Sequence, residues 1–501
     1  MGGVSRNLKS YKFAVFKFIS AAFLMAICFF IVFYFMKQFN IFTRAPEELR
    51  GKGYAVIDTL YCLVFLGLLT SLEALAIGKR RLLDLCFGFF FSSLCVNIIF
   101  AAVMCIFIDF GFWRIVFWIA VFVVIQSSLG VIWIIANHRV YESVQFAKEA
   151  VFVYGRRDDM GELDRVNSTL NKYFNFTKTI DSSEGIDRIL YEIEESSVVY
   201  LGDIPATERN VILKYCMKKR IDCYSIPKIS DIYIQNSKVM QLNDKILLKY
   251  PPLEIERMHS FFKRALDIVL GALMLAVSSP FMLVIAIAIK LCDGGPVLYK
   301  QERVTKDGRE FMMYKFRSMR VDAEKDGSRL ARKNDSRITP VGRIIRNIHF
   351  DELPQLINVL KGEMSLVGPR PERKEFIEEY TRVIPEFSER LRVKGGLTGY
   401  AQIYGRYNST PEDKVKYDLY YIYNYSLWMD IKLLILTVRI LFQKENTEGV
   451  EEWQISALKP ELYAVPYQKE AEMPLDVESA DNGPFSREND EEACEDVQKD
   501  A

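Results

Sequence analysis

The chain has 501 residues, of which half are hydrophobic, and its Lys+Arg 65 nearly balance its Asp+Glu 64. At roughly 150 residues per domain this length implies about three folding units and excludes a small disulfide scaffold. A net charge of +1 argues against a nucleic-acid coat, so no nucleic-acid partner is expected. The nine cysteines include no C-x-x-C pair with a nearby histidine, which leaves no zinc or redox signature; without a disulfide framework, the soluble parts read as cytosolic.

Four apolar stretches, at about 13–36, 54–77, 82–108 and 112–136, are long enough to cross a bilayer as helices. Lys9, Lys12 and Lys17 precede the first, Lys79, Arg80 and Arg81 separate the second from the third, and Arg139, Lys148, Arg156 and Arg157 follow the fourth. The positive-inside rule puts all three sites in the cytoplasm, and an even number of spans keeps everything after about residue 140 there. Glu73 and Asp84 fall near the cytoplasmic ends, where carboxylates reach headgroup water and read as flanks. The first about 140 residues (1–140) are therefore expected to be a four-helix transmembrane bundle.

From about 141 to 258, short β-rich runs at 150–154, 197–201 and 221–225 alternate with polar helical ones near 159–172, 184–195 and 205–219, a βαβ pattern expected of a Rossmann-like α/β domain. Its first turn reads Tyr154-Gly155-Arg156-Arg157-Asp158, with bulky charges where a dinucleotide fingerprint needs glycine. The domain reads as a degenerate, non-binding one; Arg156 and Arg157 keep an anion site as the alternative.

A further apolar run spans about 263–290 and is flanked by Lys263, Arg264 and Lys290. Basic flanks at both ends favour a re-entrant hairpin broken at Ser279 and Pro280, because Pro280 cannot donate to the carbonyl of Ala276 and the neighbouring hydroxyls can serve the freed carbonyls. A proline-kinked straight span is the alternative. Asp267 is expected to pair with Arg264, three residues back on the same helical face. Beyond the run, Lys315, Arg317, Arg320, Arg343 and Arg346 belong to a basic segment suited to anionic headgroups or to a substrate carrying several phosphates.

The run Phe350-Asp351-Glu352-Leu353-Pro354-Gln355-Leu356 follows. Asp351 can be read as the N-cap of a helix running to Leu360. The other reading takes it with Glu352 as an adjacent carboxylate pair that binds a metal and attacks phosphorus, with Arg346 close by. Together with KRALDIVLG (263–271), YKFRSM (314–319), SLVGPRP (365–371) and GLTGYAQIYGR (396–406), this run resembles the bacterial sugar transferase family, the monotopic polyprenyl-phosphate phosphoglycosyl transferases. The resemblance covers about 260–445, and the preceding spans are similar to those of the family's long members, in which Tyr400 and Tyr404 would commonly be Trp and Asn.

The resemblance implies an α+β catalytic domain over about 259–445, with the re-entrant helix and interfacial helices after Pro411. It implies transfer of a sugar 1-phosphate, a hexose being favoured, from a UDP-sugar to undecaprenyl phosphate at the cytoplasmic face of the bacterial inner membrane, releasing UMP as the first membrane step of exopolysaccharide, capsule or O-antigen synthesis. Asp351 is the implied nucleophile and Glu352 the implied support for Mg²⁺, with Asp351 as a second ligand. Arg346, Arg370 and Arg406 are expected to clamp phosphate and uridine, with Lys315 as a further candidate. A carboxylate with a reference pKa of about 3.9 needs no general base to attack, but it does need Mg²⁺ and arginines to offset the charge of a diphosphate. His349 reads as structural, and Asp418 as either a site residue or a surface cap.

Membrane lipids complete the expected partners, with a homodimer allowed. The residues after about 446 form an acidic tail expected to be disordered. The rival reading is a non-catalytic membrane scaffold or nucleotide sensor; a metal-dependent glycosyltransferase is disfavoured because no D-x-D occurs.

Overall fold

Helices that are apolar on every side have no polar face to turn to water, and the first four elements are of this kind. In a computed structural model of the protein, describing residues 2–38, 47–107, 112–144, 147–155, 173–250, 257–320, 335, 337–405 and 410–440, they are α1 (Gly2–Gln38), α2 (Glu47–Ser71), α3 (Leu82–Phe107) and α4 (Phe112–Val144). Both α1 and α3 pack against α2 and α4, around a shared core that includes Cys28, Phe65, Leu69, Phe89 and Ile134. Polar groups inside this core satisfy one another: Asn97 Nδ2 donates to Gln126 Oε1 at 2.8 Å, and Ser93 Oγ donates to the same oxygen at 2.7 Å. Asp58 is fully buried in α2, a feature the sequence reading passes over.

Among the described residues, five helices are long and apolar enough to cross a membrane: Tyr11–Gln38, Lys52–Ser71, Leu82–Cys105, Trp113–Ser143 and His259–Asp293. Large apolar side chains such as Phe18, Phe23, Ile132 and Val269 point away from the protein interior. The chain is a membrane protein that also carries an α/β domain.

That domain begins with β1 (Lys148–Tyr154), β2 (Phe174–Asp181), α5 (Ile186–Ile193), β3 (Val198–Leu201), α6 (Ala206–Lys219), β4 (Asp222–Ser225) and α7 (Ile229–Gln235). The strands form one parallel sheet in the order β2-β1-β3-β4, with Phe152 of β1 opposite Tyr200 of β3. β2 is absent from the sequence reading because it is an edge strand: Lys178 and Thr179 are exposed and only its ends are buried, so it lacks an apolar run. The helix expected at 159–172, together with Arg156 and Arg157, lies outside the described residues. An antiparallel hairpin, β5 (Lys238–Leu242) and β6 (Lys245–Lys249), follows the sheet and was likewise not foreseen.

The remaining elements are α8 (Arg257–Asp293), the hairpin β7 (Leu298–Val304) and β8 (Glu310–Phe316), α9 (Pro340–Asn347), a 3-10 turn at Phe350–Glu352, α10 (Gln355–Lys361), β9 (Ser365–Val367), α11 (Lys374–Val383), a 3-10 segment at Pro385–Arg392, β10 (Gly396–Thr398), α12 (Tyr400–Tyr404), α13 (Pro411–Tyr423) and α14 (Leu427–Ile440). The helical backbone of α8 runs through Pro280, so a re-entrant path takes the form of a bend within one helix rather than two helices joined by a loop. Ser279 Oγ donates to the carbonyl of Ala276 at 2.8 Å, the acceptor that Pro280 cannot serve, and this keeps the helical path intact.

Both ends of α8 dock on the same domain. Near its start, Lys263 Nζ lies 2.7 Å from Asp430 Oδ2 and 2.9 Å from the carbonyl of Val367. Towards its end, Ile285 and Ile289 join Phe316 and Ile345 in one cluster. The expected Arg264–Asp267 pair does not form. Arg264 donates to the carbonyls of Val359 and Leu360 at 2.7 and 2.8 Å, and Asp267 accepts from Ser365 Oγ and the Leu366 amide, both at 3.0 Å. Arg264 thereby satisfies orphan carbonyls at the end of α10, while Asp267 is held by the start of β9.

Lys263 and Asp430 are 10% and 2% exposed, so removing one partner strands a buried charge. Lys263→Met should lower unfolding free energy by about 3–5 kcal/mol, and adding Asp430→Leu should recover most of that loss, as read by denaturant unfolding in detergent.

Candidate active site

The site is built on a reversal of the chain after α9. Thr339 caps that helix, its hydroxyl accepting from the Gly342 amide at 2.9 Å. The helix ends at Asn347, and His349 adopts a left-handed conformation (φ 56°), turning the backbone into the 3-10 segment that carries Asp351 and Glu352. Asp351 is thus not the N-cap of a longer helix: α10 starts only at Gln355, after Pro354. In a 3-10 turn successive side chains diverge by about 120°, so the two carboxylates leave the backbone in different directions.

Glu352 turns inward to two cations. Lys315 Nζ of β8 lies 2.9 Å from its Oε1, and Arg370, just beyond β9, reaches both oxygens at 2.5 and 3.3 Å. Burial alone would raise the Glu352 carboxyl, but Arg370 and Lys315 hold it well below the usual range. Lys315 is in turn lowered, chiefly by desolvation. The residue that sequence reasoning ranked last among the clamps is therefore a direct partner of the acidic pair.

Asp351 accepts no hydrogen bond among the described residues, although Lys315, Arg346 and Arg370 all act on it electrostatically. Desolvation, followed by the Glu352 charge, pushes its carboxyl up to about 6, against the sequence expectation of a fully ionised group. His349 is lowered by burial, and its Nδ1 finds no partner among the described residues. It stays neutral at pH 7 and acts as the residue that turns the chain.

The loops carrying SLVGPRP and GLTGYAQIYGR pack backbone to backbone. The Gly368 amide donates to Thr398 O and the Gly396 amide to Pro369 O, each at 2.8 Å. A Cβ on Gly396 would fall 2.1 Å from Gly368 N, and one on Gly399 would fall 2.2 Å from Gly368 O, so only glycine permits this approach. Arg370 leaves this platform towards Glu352, with its carbonyl held by Arg390 Nη2 at 3.0 Å. Arg390 also pairs with the buried Asp418 at 2.8 Å, which makes Asp418 an internal brace rather than a site residue or a surface cap.

Arg406 lies outside the described residues. Ser279 and Pro280 sit on α8 beside Phe281, whose ring centroid is 6.5 Å from that of Phe350. The proline position of the apolar helix is thereby one aromatic contact away from Asp351.

No group of three or more His, Cys, Asp or Glu side chains able to hold a metal occurs among the described residues. Mg²⁺ is commonly bound by only one or two carboxylates plus substrate phosphates and water, and Asp351, with unbonded oxygens, fits that role. Glu352 could join only by sharing oxygens that Lys315 and Arg370 already occupy.

Residues 258–444 match the family model described as Bacterial sugar transferase. Over 239 residues the chain is 39% identical to the UDP-N-acetylgalactosamine-undecaprenyl-phosphate N-acetylgalactosaminephosphotransferase of Aeromonas hydrophila, covering 47% of this chain and 56% of that protein. It is 40% identical over 218 residues to the UDP-glucose:undecaprenyl-phosphate glucose-1-phosphate transferase of Escherichia coli K12, covering 42% of this chain and 47% of that protein. The protein of the same name from Caulobacter vibrioides is 41% identical over 189 residues, which cover 37% of this chain and 71% of the relative. The matched regions thus span about half the length of the first two relatives and most of the third. With these motifs on one platform, the chain belongs to the bacterial sugar transferase family.

Proposed function

We propose that the protein transfers a sugar 1-phosphate from a UDP-sugar to undecaprenyl phosphate, releasing UMP and leaving a lipid-linked diphosphosugar. One observation carries the reading: a largely desolvated Asp351, without a hydrogen bond among the described residues, stands beside a Glu352–Lys315–Arg370 charge cluster, one aromatic contact from the proline of an apolar helix. The activities for which the relatives are named, transfer of N-acetylgalactosamine phosphate or glucose 1-phosphate to undecaprenyl phosphate, support the reaction class and leave the sugar open.

In the proposed reaction an Asp351 oxygen attacks the sugar-linked phosphorus, the bond from that phosphorus to the bridging oxygen breaks, and UMP leaves with the electron pair. An oxygen of the lipid phosphate then attacks the same phosphorus and expels the Asp351 carboxylate, restoring the enzyme. Desolvation removes from Asp351 much of the water that would have to be stripped before attack, and no described residue donates to its oxygens. Arg370 and Lys315, oriented by Glu352, place positive charge beside the incoming diphosphate. Mg²⁺, when bound, would supply further neutralisation of the diphosphate, with Asp351 as the carboxylate best placed to hold it.

We infer further that α1–α4 span the bacterial inner membrane and that the parallel sheet is Rossmann-like, its order matching a doubly wound fold. We also infer that the catalytic half lies on the cytoplasmic face, with α8 entering and leaving the bilayer on one side. Docking of both ends of α8 on the same domain, together with its exposed Val269, Leu273, Val277 and Val284, supports the last point. Trp428 and Val438 of α14, both exposed, suit an interfacial position.

Three outcomes test the proposal. With UDP-hexose and no lipid, the protein should release UMP in a burst and gain the mass of one hexose phosphate; Asp351→Asn should remove both signals, with turnover falling about a thousandfold or more. Strict dependence of UMP release on the lipid, with no adduct on rapid quench, would instead support direct in-line transfer.

Because Asp351 must be ionised to attack and its carboxyl lies at about 6, kcat should fall about tenfold per unit below that pH. Glu352→Gln removes the neighbouring negative charge and leaves Lys315 and Arg370 facing Asp351, so the acid limb should move to lower pH while the plateau drops. An unchanged limb would show that another group titrates.

In a background free of the native cysteines, Phe262→Cys and Lys300→Cys should both resist labelling from outside intact cells. Labelling at position 300 alone would make α8 a true span and place the site on the opposite face.

A further inference from the structure

Outside the site, one cluster of ionic and aromatic contacts joins the membrane helices to the catalytic domain, and the transfer chemistry does not use it. It is centred on the turn between α2 and α3. There Glu73 holds a left-handed backbone (φ 58°), uncommon for a residue with a long side chain. Its carboxylate accepts from Lys432 Nζ of α14 at 2.8 Å and also binds Arg80 of the same turn. Burial pushes the Glu73 carboxyl up, but Lys432 and Arg80 carry it below its ordinary range.

Arg80 in turn lays its guanidinium over the ring of Tyr404, 5.0 Å from the centroid. The tilted rings of Tyr404 and Tyr400 lie 4.4 Å apart, and Tyr400 lies 5.0 Å from Tyr420 of α13. These are the two ends of α12, whose preceding residue, Gly399, rests against the backbone of Gly368, two residues before Arg370. A continuous packed path therefore runs from a turn of the membrane helices to the guanidinium that grips Glu352.

We propose that Arg80 is a positioning residue for the transferase: by clamping Tyr404 and α12 from the membrane side, it sets the placement of the glycine platform and hence of Arg370. The inference rests on the transferase reading for its kinetic test only. Ion pairs exposed to about a third, such as those of Glu73, add little to stability, but a guanidinium on an aromatic face fixes orientation, and the left-handed Glu73 backbone marks a turn constrained by more than chain connection.

The test measures UMP release by the full chain in lipid nanodiscs, with hydrogen exchange of the 396–405 segment as a readout that needs no turnover. Arg80→Ala should lower kcat/KM for the UDP-sugar by about tenfold, the size a partly desolvated cation–π contact supports. Arg80→Lys should restore part of it. Tyr404→Leu should cause a similar loss, and the double variant should be no worse than either single one, the non-additivity expected of contacting residues. Lys79→Ala, an exposed cation in the same turn, should stay within about twofold of the unaltered protein.

Exchange across 396–405 should quicken in Arg80→Ala and Tyr404→Leu but not in Lys79→Ala. Unchanged exchange with kcat/KM within twofold in Arg80→Ala, or strictly additive effects, would overturn the proposal. Failure of the unaltered protein to release UMP would sink the transferase reading, while the exchange comparison would still decide whether Arg80 positions α12.

Discussion

Two ionisable carboxylates on consecutive residues, taken largely out of water, set the terms for the catalytic half of the molecule. Desolvating either costs several kcal/mol, and each repels the other. The protein resolves this by giving the direct ion pairs to one of them. Glu352 receives Lys315 from β8 and Arg370 from beyond β9, so segments distant in sequence must converge on the 3-10 turn. Asp351 is left with the field of Lys315, Arg346 and Arg370 but with no hydrogen bond among the described residues. A carboxylate so held is more reactive than one wrapped in donors, and the proposed nucleophile needs that property.

The membrane helix contributes a second constraint. A proline inside a helix frees a carbonyl, and in hydrocarbon that carbonyl has no water to turn to. Ser279 supplies the missing donor to Ala276, so α8 keeps its hydrogen bonding without Pro280. The position next to the proline then presents Phe281 to Phe350. This contact ties the middle of α8 to the turn that carries Asp351.

Much of this was legible in the sequence, and the parts that were not share a cause. The apolar runs announce the membrane helices because length and composition are local properties. The motifs announce Asp351, Glu352 and Arg370 because their residue types are tied to backbone shapes, such as the glycines that let two loops touch. Three strands of the parallel sheet were readable from apolar runs, whereas β2, an edge strand with outward Lys178 and Thr179, was not. The expected Arg264–Asp267 pair failed because helical spacing says which side chains are neighbours and nothing about competing backbone acceptors. Asp418 was assigned to the surface or the site because its partner Arg390 is nearby only in space. The Asp351 carboxyl was misjudged for a related reason: the reference value of a titratable group is sequential knowledge, whereas its desolvation depends on the whole fold.

The same distinction explains how the catalytic half is tied to the membrane at two places through one short helix. Asp430 and Lys432 of α14 are two residues apart, about 200° around the helix, and so face nearly opposite ways. Asp430 binds Lys263 at the start of α8, and Lys432 binds Glu73 in the turn between α2 and α3. The first pair is buried and costly to break, so it fixes where α8 meets the domain. The second pair is a fifth to a third exposed, and pairs of that kind contribute little energy. Opposite sides of α14 are thereby tied to two different apolar elements, one through a buried pair and one through a partly exposed pair.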